Sequence, residues 1–346
     1  MADKEKILSK EEELAKASRM NKIRTYLPVV GLVAIFALFN FLTDGGMSSQ
    51  RNLTLLLNQI YVGMIAATGV FFIMTMGGLD FSQGSILGIA SIAVCILSQY
   101  GIGIAIAGGV VAGAVIGAIN GYFYVNRKIA SFIVTICTMF LFRGFIKYMA
   151  SDSPIRASMD VYNFDHIEIK LPLMLLIIAI SFVAFRYTKF GTYLKAIGAG
   201  EKGAMFAGIR TDRMKFLIYT LAGAMTGLAA FINIAKNGSA TANVGNQLET
   251  QILIALVLGG MPISGGAKVR FSNIIVGTLL YYVLYSGLTM MGLTTQTMQL
   301  IQGVIFLIFV AVFADRQSVK VIKCSYPPVP GIYYALSPIF IVGLTK

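Results

Sequence analysis

Ten long apolar runs recur between Tyr26 and Ala314, separated by short polar joints. They cover 26–42, 53–76, 86–100, 103–125, 129–150, 172–187, 216–235, 251–267, 271–291 and 298–314. A hydrocarbon core about 30 Å thick takes roughly 20 helical residues to cross, and most of the runs approach that length. No water is available there to pair free amides, so a crossing run must be a helix or a strand of a closed barrel. The runs lack the in–out alternation of barrel strands, which leaves helices. The pattern predicts an all-α membrane protein of about ten transmembrane helices.

The joints set the orientation, because Lys and Arg near span ends stay cytoplasmic. Arg19, Lys22 and Arg24 precede the first run. Counting crossings from there places Arg127 with Lys128, the segment Arg186–Lys215 with seven basic residues and two acids, Lys268 with Arg270, and Arg316 with Lys320 on the same side. The opposite joints, 43–52, 151–171, 236–250 and 292–297, are poorer in basic residues and include Asp152, Asp160, Asp165 and Glu168. Ten crossings with cytoplasmic N and C termini satisfy the rule throughout. The chain then divides into a polar leader, 1–25, a membrane domain, 26–316, and a tail, 317–346. The leader has no apolar segment, so no removable signal peptide is expected. In the tail, the apolar run after Pro327-Pro328-Val329-Pro330 has 14 residues, Gly331–Leu344. That is too short to cross and is expected to lie at the interface.

Composition agrees: 57% of residues are apolar and 12% charged, too few charges to solvate a globule of 346 residues. The net charge of +13 is accounted for by sidedness and anionic headgroups, and no nucleic-acid partner is expected. Cys95, Cys137 and Cys324 are odd in number and two lie within runs, so they read as small apolar residues rather than a disulfide frame.

Self-comparison finds a repeat. Gly77-Gly78-Leu79-Asp80-Phe81-Ser82-Gln83-Gly84-Ser85 aligns without a gap on Gly259-Gly260-Met261-Pro262-Ile263-Ser264-Gly265-Gly266-Ala267, an offset of 182. The same offset carries the first two spans onto the seventh and eighth in the same direction. This predicts a parallel internal duplication, four-helix halves around two central helices. Glycine-rich backbone at membrane depth is tolerated where it lines protein or a wet cavity, and it frees amides to meet a polar solute. Asp80 is the acid of this stretch in the first half, with two readings: it caps the following helix, as Ser82 also can, or it contacts solute. Gly109, Gly113, Gly117 and Gly121 form a four-residue stripe that lets another helix approach closely, and Gly223 and Gly227 repeat it.

Catalytic chemistry is not supported. The string Gly198-Ala199-Gly200-Glu201-Lys202-Gly203 has dinucleotide-fingerprint spacing, but it follows a basic joint rather than a buried strand. No GxxxxGK[ST] loop is present. The single histidine, His166, has no Cys or second His nearby, so neither a metal site nor a catalytic triad is expected, and no cofactor on this chain.

From Leu53 to Arg316 the chain resembles the membrane permease subunits of ABC-type monosaccharide importers of the ribose, galactose and xylose kind. Gly77–Ser85 is similar to that family's GGIDLSVGS block, with Gln59 at its glutamine position. Asn120-Gly121, Ser131-Phe132-Ile133-Val134-Thr135 and Arg143-Gly144 resemble its ING and PSFIVT…RG segments. Gly191, Ala196-Ile197-Gly198 and Ala207-Gly208-Ile209 resemble its ATPase-docking stretch. Glu249, Gly259-Gly260 and Ser264-Gly265-Gly266 resemble its EL…GG…SGG. Departures are Gly200 and Gly203 for asparagine and alanine, Gln251 for the aspartate of many members, and Ala130 for proline.

The resemblance implies an importer driven by Mg-ATP on a separate cytoplasmic ABC ATPase, an extracytoplasmic sugar-binding protein, a second permease copy and a bacterial inner membrane. Candidate path residues are Gln59, Gly77, Gly78, Asp80, Ser82, Asn120, Phe132, Thr135, Arg143, Glu249, Gln251 and Ser264. Amide and hydroxyl side chains with few opposed charges suit an uncharged polar solute. Arg143 has a second reading, snorkelling to the interface. A short helix over Glu201–Gly208 is expected to couple to the ATPase through Glu201, Lys202, Ala204, Met205, Phe206, Gly208 and Ile209, with Ala204, Met205, Phe206 and Ile209 exposed. The alternatives are an ion-coupled secondary transporter, with Asp80 as the ion-binding carboxylate, a passive channel, or an ABC permease for nucleosides or branched-chain amino acids.

Overall fold

The structure is a computed structural model that describes residues 27–313; the expected leader and interfacial tail lie outside the described residues. Each predicted run contains a helix: α1 (Leu27–Leu42), α2 (Gln50–Thr75), α3 (Gln83–Leu97), α4 (Ile102–Asn126), α5 (Ser131–Met149), α6 (Ile167–Tyr187), α9 (Thr211–Asn237), α10 (Leu248–Leu258), α11 (Ser272–Met290) and α12 (Thr295–Phe313). Two more, α7 (Lys189–Ala199) and α8 (Glu201–Phe206), fold within the long basic joint. Among the described residues, seven helices are long and apolar enough to span a membrane: α2, α3 with its 3-10 extension, α4, α5, α6, α9 and α11. The protein is a multi-pass membrane protein.

Two boundaries differ from expectation. Helix α6 begins at Ile167, with Pro172 inside it, because Lys170 in its otherwise exposed first turn is buried and held. Lys170 Nζ donates to Asn58 Oδ1 and Asp165 Oδ1, both at 2.5 Å. The run 251–267 is helical only to Leu258: Gly259 caps α10, Gly260 takes φ +82°, and the rest is loop.

Burial sorts the helices. Every residue of α2 from Gly63 to Thr75 is buried, whereas α5 and α6 are buried over only 22% and 17% of their most apolar windows. Apolar surface left open on a spanning helix is what lipid covers. α4 and α9 meet backbone to backbone. A Cβ on Gly109 would lie 3.0 Å from Gly227 O, and Gly113 and Gly117 stand directly against the carbonyls of Gly223 and Tyr219. Gly121 closes the stripe against Phe216.

The repeated segments form two similar turns. Gly77 N donates to Met74 O and Gly78 N to Ile73 O; Gly260 N donates to Val257 O and Met261 N to Leu256 O. Both are Schellman closures with a left-handed glycine, Gly77 at φ +81° and Gly260 at +82°. The conformational match thus pairs Gly77 with Gly260, an offset of 183 rather than the gapless 182. The two loops touch: Gly266 N donates to Thr75 O at 3.0 Å. Gly198 of α7 packs on this junction. At the opposite end of the bundle, β1 (Ile155–Arg156) and β2 (Ser239–Ala240) pair antiparallel and tie the segment before α6 to the end of α9.

Candidate functional site

Toward the β1–β2 end, α2, α3, α9, α10 and α11 line an open cavity of about 240 Å³. α2 supplies Asn58 and Gln59, α9 Asn233 and Lys236, α10 Gln251, α11 Tyr282 and Tyr285, and the turn before α10 Asn246. Leu87, Val62 and Leu248 complete it with apolar surface. The cavity exists because α10 is only 11 residues long and starts inside the bundle. Gly245 and Gln247 adopt φ +68° and +65°, turning the chain sharply just before it. Gln59 Oε1 is buried without a hydrogen-bond partner among the described residues, so it is free to accept from a solute hydroxyl.

A polar knot opens α3. Asp80 Oδ1 accepts from Ser82 N at 2.8 Å and Ser82 Oγ at 2.6 Å, and Oδ2 accepts from Gln83 Nε2 at 2.7 Å. Asn120 Nδ2 donates to Ser82 Oγ at 2.8 Å, and Thr226 donates to Gln83 Oε1. The strand-like loop before it hangs on α5: Leu79 N donates to Ser131 Oγ and Phe81 N to Thr135 Oγ1, both at 3.2 Å. Asp80 is 1% exposed and both its oxygens are engaged within its own turn. Asp80 thus closes a turn just ahead of α3, whose N-cap residue, Ser82, makes no side-chain capping bond.

A clasp joins the turn before α10 to α5. Arg143 donates to Val244 O at 2.9 Å and Gly245 O at 3.0 Å, with Glu249 Oε2 at 3.6 Å. The guanidinium turns inward and does not snorkel to the interface. Gly84 is required here, since a Cβ would meet Glu249, Arg143 and Gly245 O.

At the far end, α7 and α8 lie beyond the loop junction. Lys215 and Glu201 form an ion pair across the α8–α9 turn, and Lys215 Nζ lies 4.8 Å from the Tyr124 ring centre. α8 closes with Gly208 at φ +81°. Phe206 is 92% exposed and Met205 55%, while Ala204 is buried and Ile209 half-buried. The expectation that Ala204 is exposed fails because that face of α8 seats the helix on the bundle. Lys202 is exposed. On α7, burial and then the charge of Arg186 lower the pKa of Lys195, whose Nζ stands 4.6 Å from the Phe185 ring centre.

The sequence-predicted residues therefore fall in separate places. Gln59 and Gln251 meet at the cavity. Asp80, Ser82, Asn120 and Thr135 form or hold the knot, and Arg143 and Glu249 the clasp. Gly77, Gly78 and Ser264 lie at the loop junction. Phe132 stands 46% exposed on α5 and joins none of them. Sequence reasoning missed Asn58, Asn233, Lys236, Asn246, Tyr282 and Tyr285. Asn233 and Lys236 are three residues apart near the end of α9, the spacing that puts two side chains on one helix face. That signal was available.

The model of the branched-chain amino acid transport system / permease component family matches residues 52–310. The ribose import permease of Bacillus subtilis is 31% identical over 308 residues, 86% of this chain and 94% of that protein. The D-allose transport system permease of Escherichia coli is 28% identical over 82% of this chain and 89% of that protein. The fructose import permease of Rhizobium meliloti is 28% identical over 83% and 84%. No solved structure matches the chain.

Proposed function

The chain belongs to the branched-chain amino acid transport system / permease component family, and from that premise we propose that it is the membrane-spanning subunit of an ATP-driven monosaccharide importer in a bacterial inner membrane. Its relatives are import permeases for ribose, D-allose and fructose, and they match along nearly their whole length. It is a transport subunit rather than an enzyme. In this reading all ten helices cross or enter the bilayer, both termini are cytoplasmic, and α1–α4 and α9–α12 are parallel duplicated halves around α5 and α6. The paired Schellman turns support the duplication. A cytoplasmic ATPase binds Mg-ATP, an extracytoplasmic binding protein delivers sugar, and a second permease copy completes the path.

The observation that carries this reading is the amide-lined cavity at the start of the shortened α10. Gln59, Gln251, Asn58 and Asn246 offer the donors and acceptors that sugar hydroxyls need, above apolar walls suited to ring carbons. Driving force would enter through α8. An ATPase groove that takes Phe206 and Met205 would move α7, and Gly198 of α7 bears on the junction of Thr75 with Gly266. A shift there is carried along α2, which lines the cavity through Asn58 and Gln59. An ion-coupled mechanism has less support, since the carboxylate it needs, Asp80, is spent on its own turn.

The test is Phe206→Asp. A charge in the apolar contact should lower sugar-stimulated ATP hydrolysis and uptake by at least about tenfold while membrane insertion is normal. Undiminished uptake at normal expression, or uptake that survives loss of the ATPase and collapses with an ionophore, would overturn the proposal.

A further inference from the structure

The charge balance around the cavity is uneven. Its lining contains one ionisable cation, Lys236, and no Asp or Glu. Lys236 makes no hydrogen bond or ion pair among the described residues. The charges in its surroundings are Lys170 and Asp165, and these are bonded to each other at 2.5 Å. The other buried pair near the cavity, Arg143 with Glu249, is also matched. One positive charge is left facing the space.

The neighbouring amides reinforce it. Asn58 Oδ1 accepts from the Lys170 ammonium, which can only donate, so the Asn58 carbonyl is occupied and its NH2 is what remains for the cavity. Asn233 Oδ1 likewise accepts from Asn237 Nδ2 at 2.9 Å, leaving its NH2 free. Two amide donors and an ammonium therefore border the same 240 Å³ space. Charge-assisted bonds are the stronger ones, and a half-buried cation gains most from an anion that can also accept from amide donors already in place beside it.

Resting on the importer reading, we propose that the cavity selects a monosaccharide that carries a carboxylate, a sugar acid, with Lys236 as countercharge and Asn58 and Asn233 as its donor partners. A single surplus charge matches a monoanion better than the dianion of a sugar phosphate. The expectation of an uncharged solute counted only polar groups inside the predicted spans; Lys236 falls one residue past the predicted 216–235. Its place in the last turn of α9 also suits the helix dipole, which explains why a cation is tolerated there but not why the lining lacks an acid.

The full chain in lipid nanodiscs would be titrated with D-galacturonate and D-galactose, following thermal stabilisation. Galacturonate should reach half-effect at about tenfold lower concentration than galactose. Lys236→Gln should abolish that difference; Lys236→Arg should keep it. Asn58→Asp, which keeps a partner for Lys170, should weaken galacturonate more than galactose and serves if Lys236→Gln fails to assemble. Equal midpoints in the unaltered chain would overturn the sugar-acid proposal and leave the importer reading standing. Discrimination that persists in Lys236→Gln would overturn it too. Binding of neither sugar would remove the cavity as a solute site and the sugar-acid proposal with it, while the importer reading stands or falls on Phe206→Asp.

Discussion

Asp80 shows how a carboxylate is made tolerable inside a bundle: both oxygens accept bonds from the two residues that start α3, and Ser82 passes the network on to Asn120. Burying a charge without such bonds costs several kcal/mol, so the knot must be complete or absent. Asn120 joins α4 to it with one bond, and its Oδ1 has no partner among the described residues. Asn120→Leu should therefore destabilise by only about 1–2 kcal/mol, read as a lower unfolding midpoint in detergent. Asn120→Asp should cost more, because it sets a second carboxylate beside Asp80 with no cation to balance it. The composition of this knot was legible, since Asp80, Ser82 and Asn120 all stood out as polar residues in apolar surroundings. Its partners were not: Gln83 and Thr226 are separated by 143 positions and meet only when α3 packs on α9.

Among the elements, α4 and α9 depend on residues that have no side chain. Gly113 stands against Gly223 O and Gly117 against Tyr219 O, so any Cβ must push backbone rather than a movable side chain. Gly113→Val should cost more than about 3 kcal/mol and yield aggregated or degraded protein, seen by size-exclusion chromatography. Gly203 is the contrast. Nothing lies within 4 Å of its added Cβ, so Gly203→Ala should leave the fold intact and stabilise α8 by about 0.5–1 kcal/mol, visible as slower amide exchange over Glu201–Phe206. The stripe could be read from spacing alone because a helix repeats its faces every three to four residues. The end of α10 was harder: apolar Met261 and Ile263 continue the run, and only the left-handed turn at Gly260 ends the helix.

For the whole molecule, the proposed topology puts α8 in the cytoplasm and the segment before β1 outside. With Cys95, Cys137 and Cys324 replaced by Ala, Met205→Cys should react with a membrane-impermeant thiol reagent only after the cells are opened, and Asp152→Cys in intact cells. The reverse pattern would invert the molecule and detach it from a cytoplasmic ATPase.

Hydrophobic run length determined by itself that this chain is a helical membrane protein and roughly where its long helices lie, and the placement of Lys and Arg gives the proposed orientation. Those properties are local, decided residue by residue between lipid and water. Packing alone decided which polar groups are spent on one another and which are left to line a cavity. Arg143 and Glu249 close a clasp, while Lys236, unremarkable at the end of a helix, faces a cavity because Asp165 is already taken by Lys170. A hydrogen-bond partner is a fact about position in space, and residues far apart along the chain acquire it only when the helices are assembled.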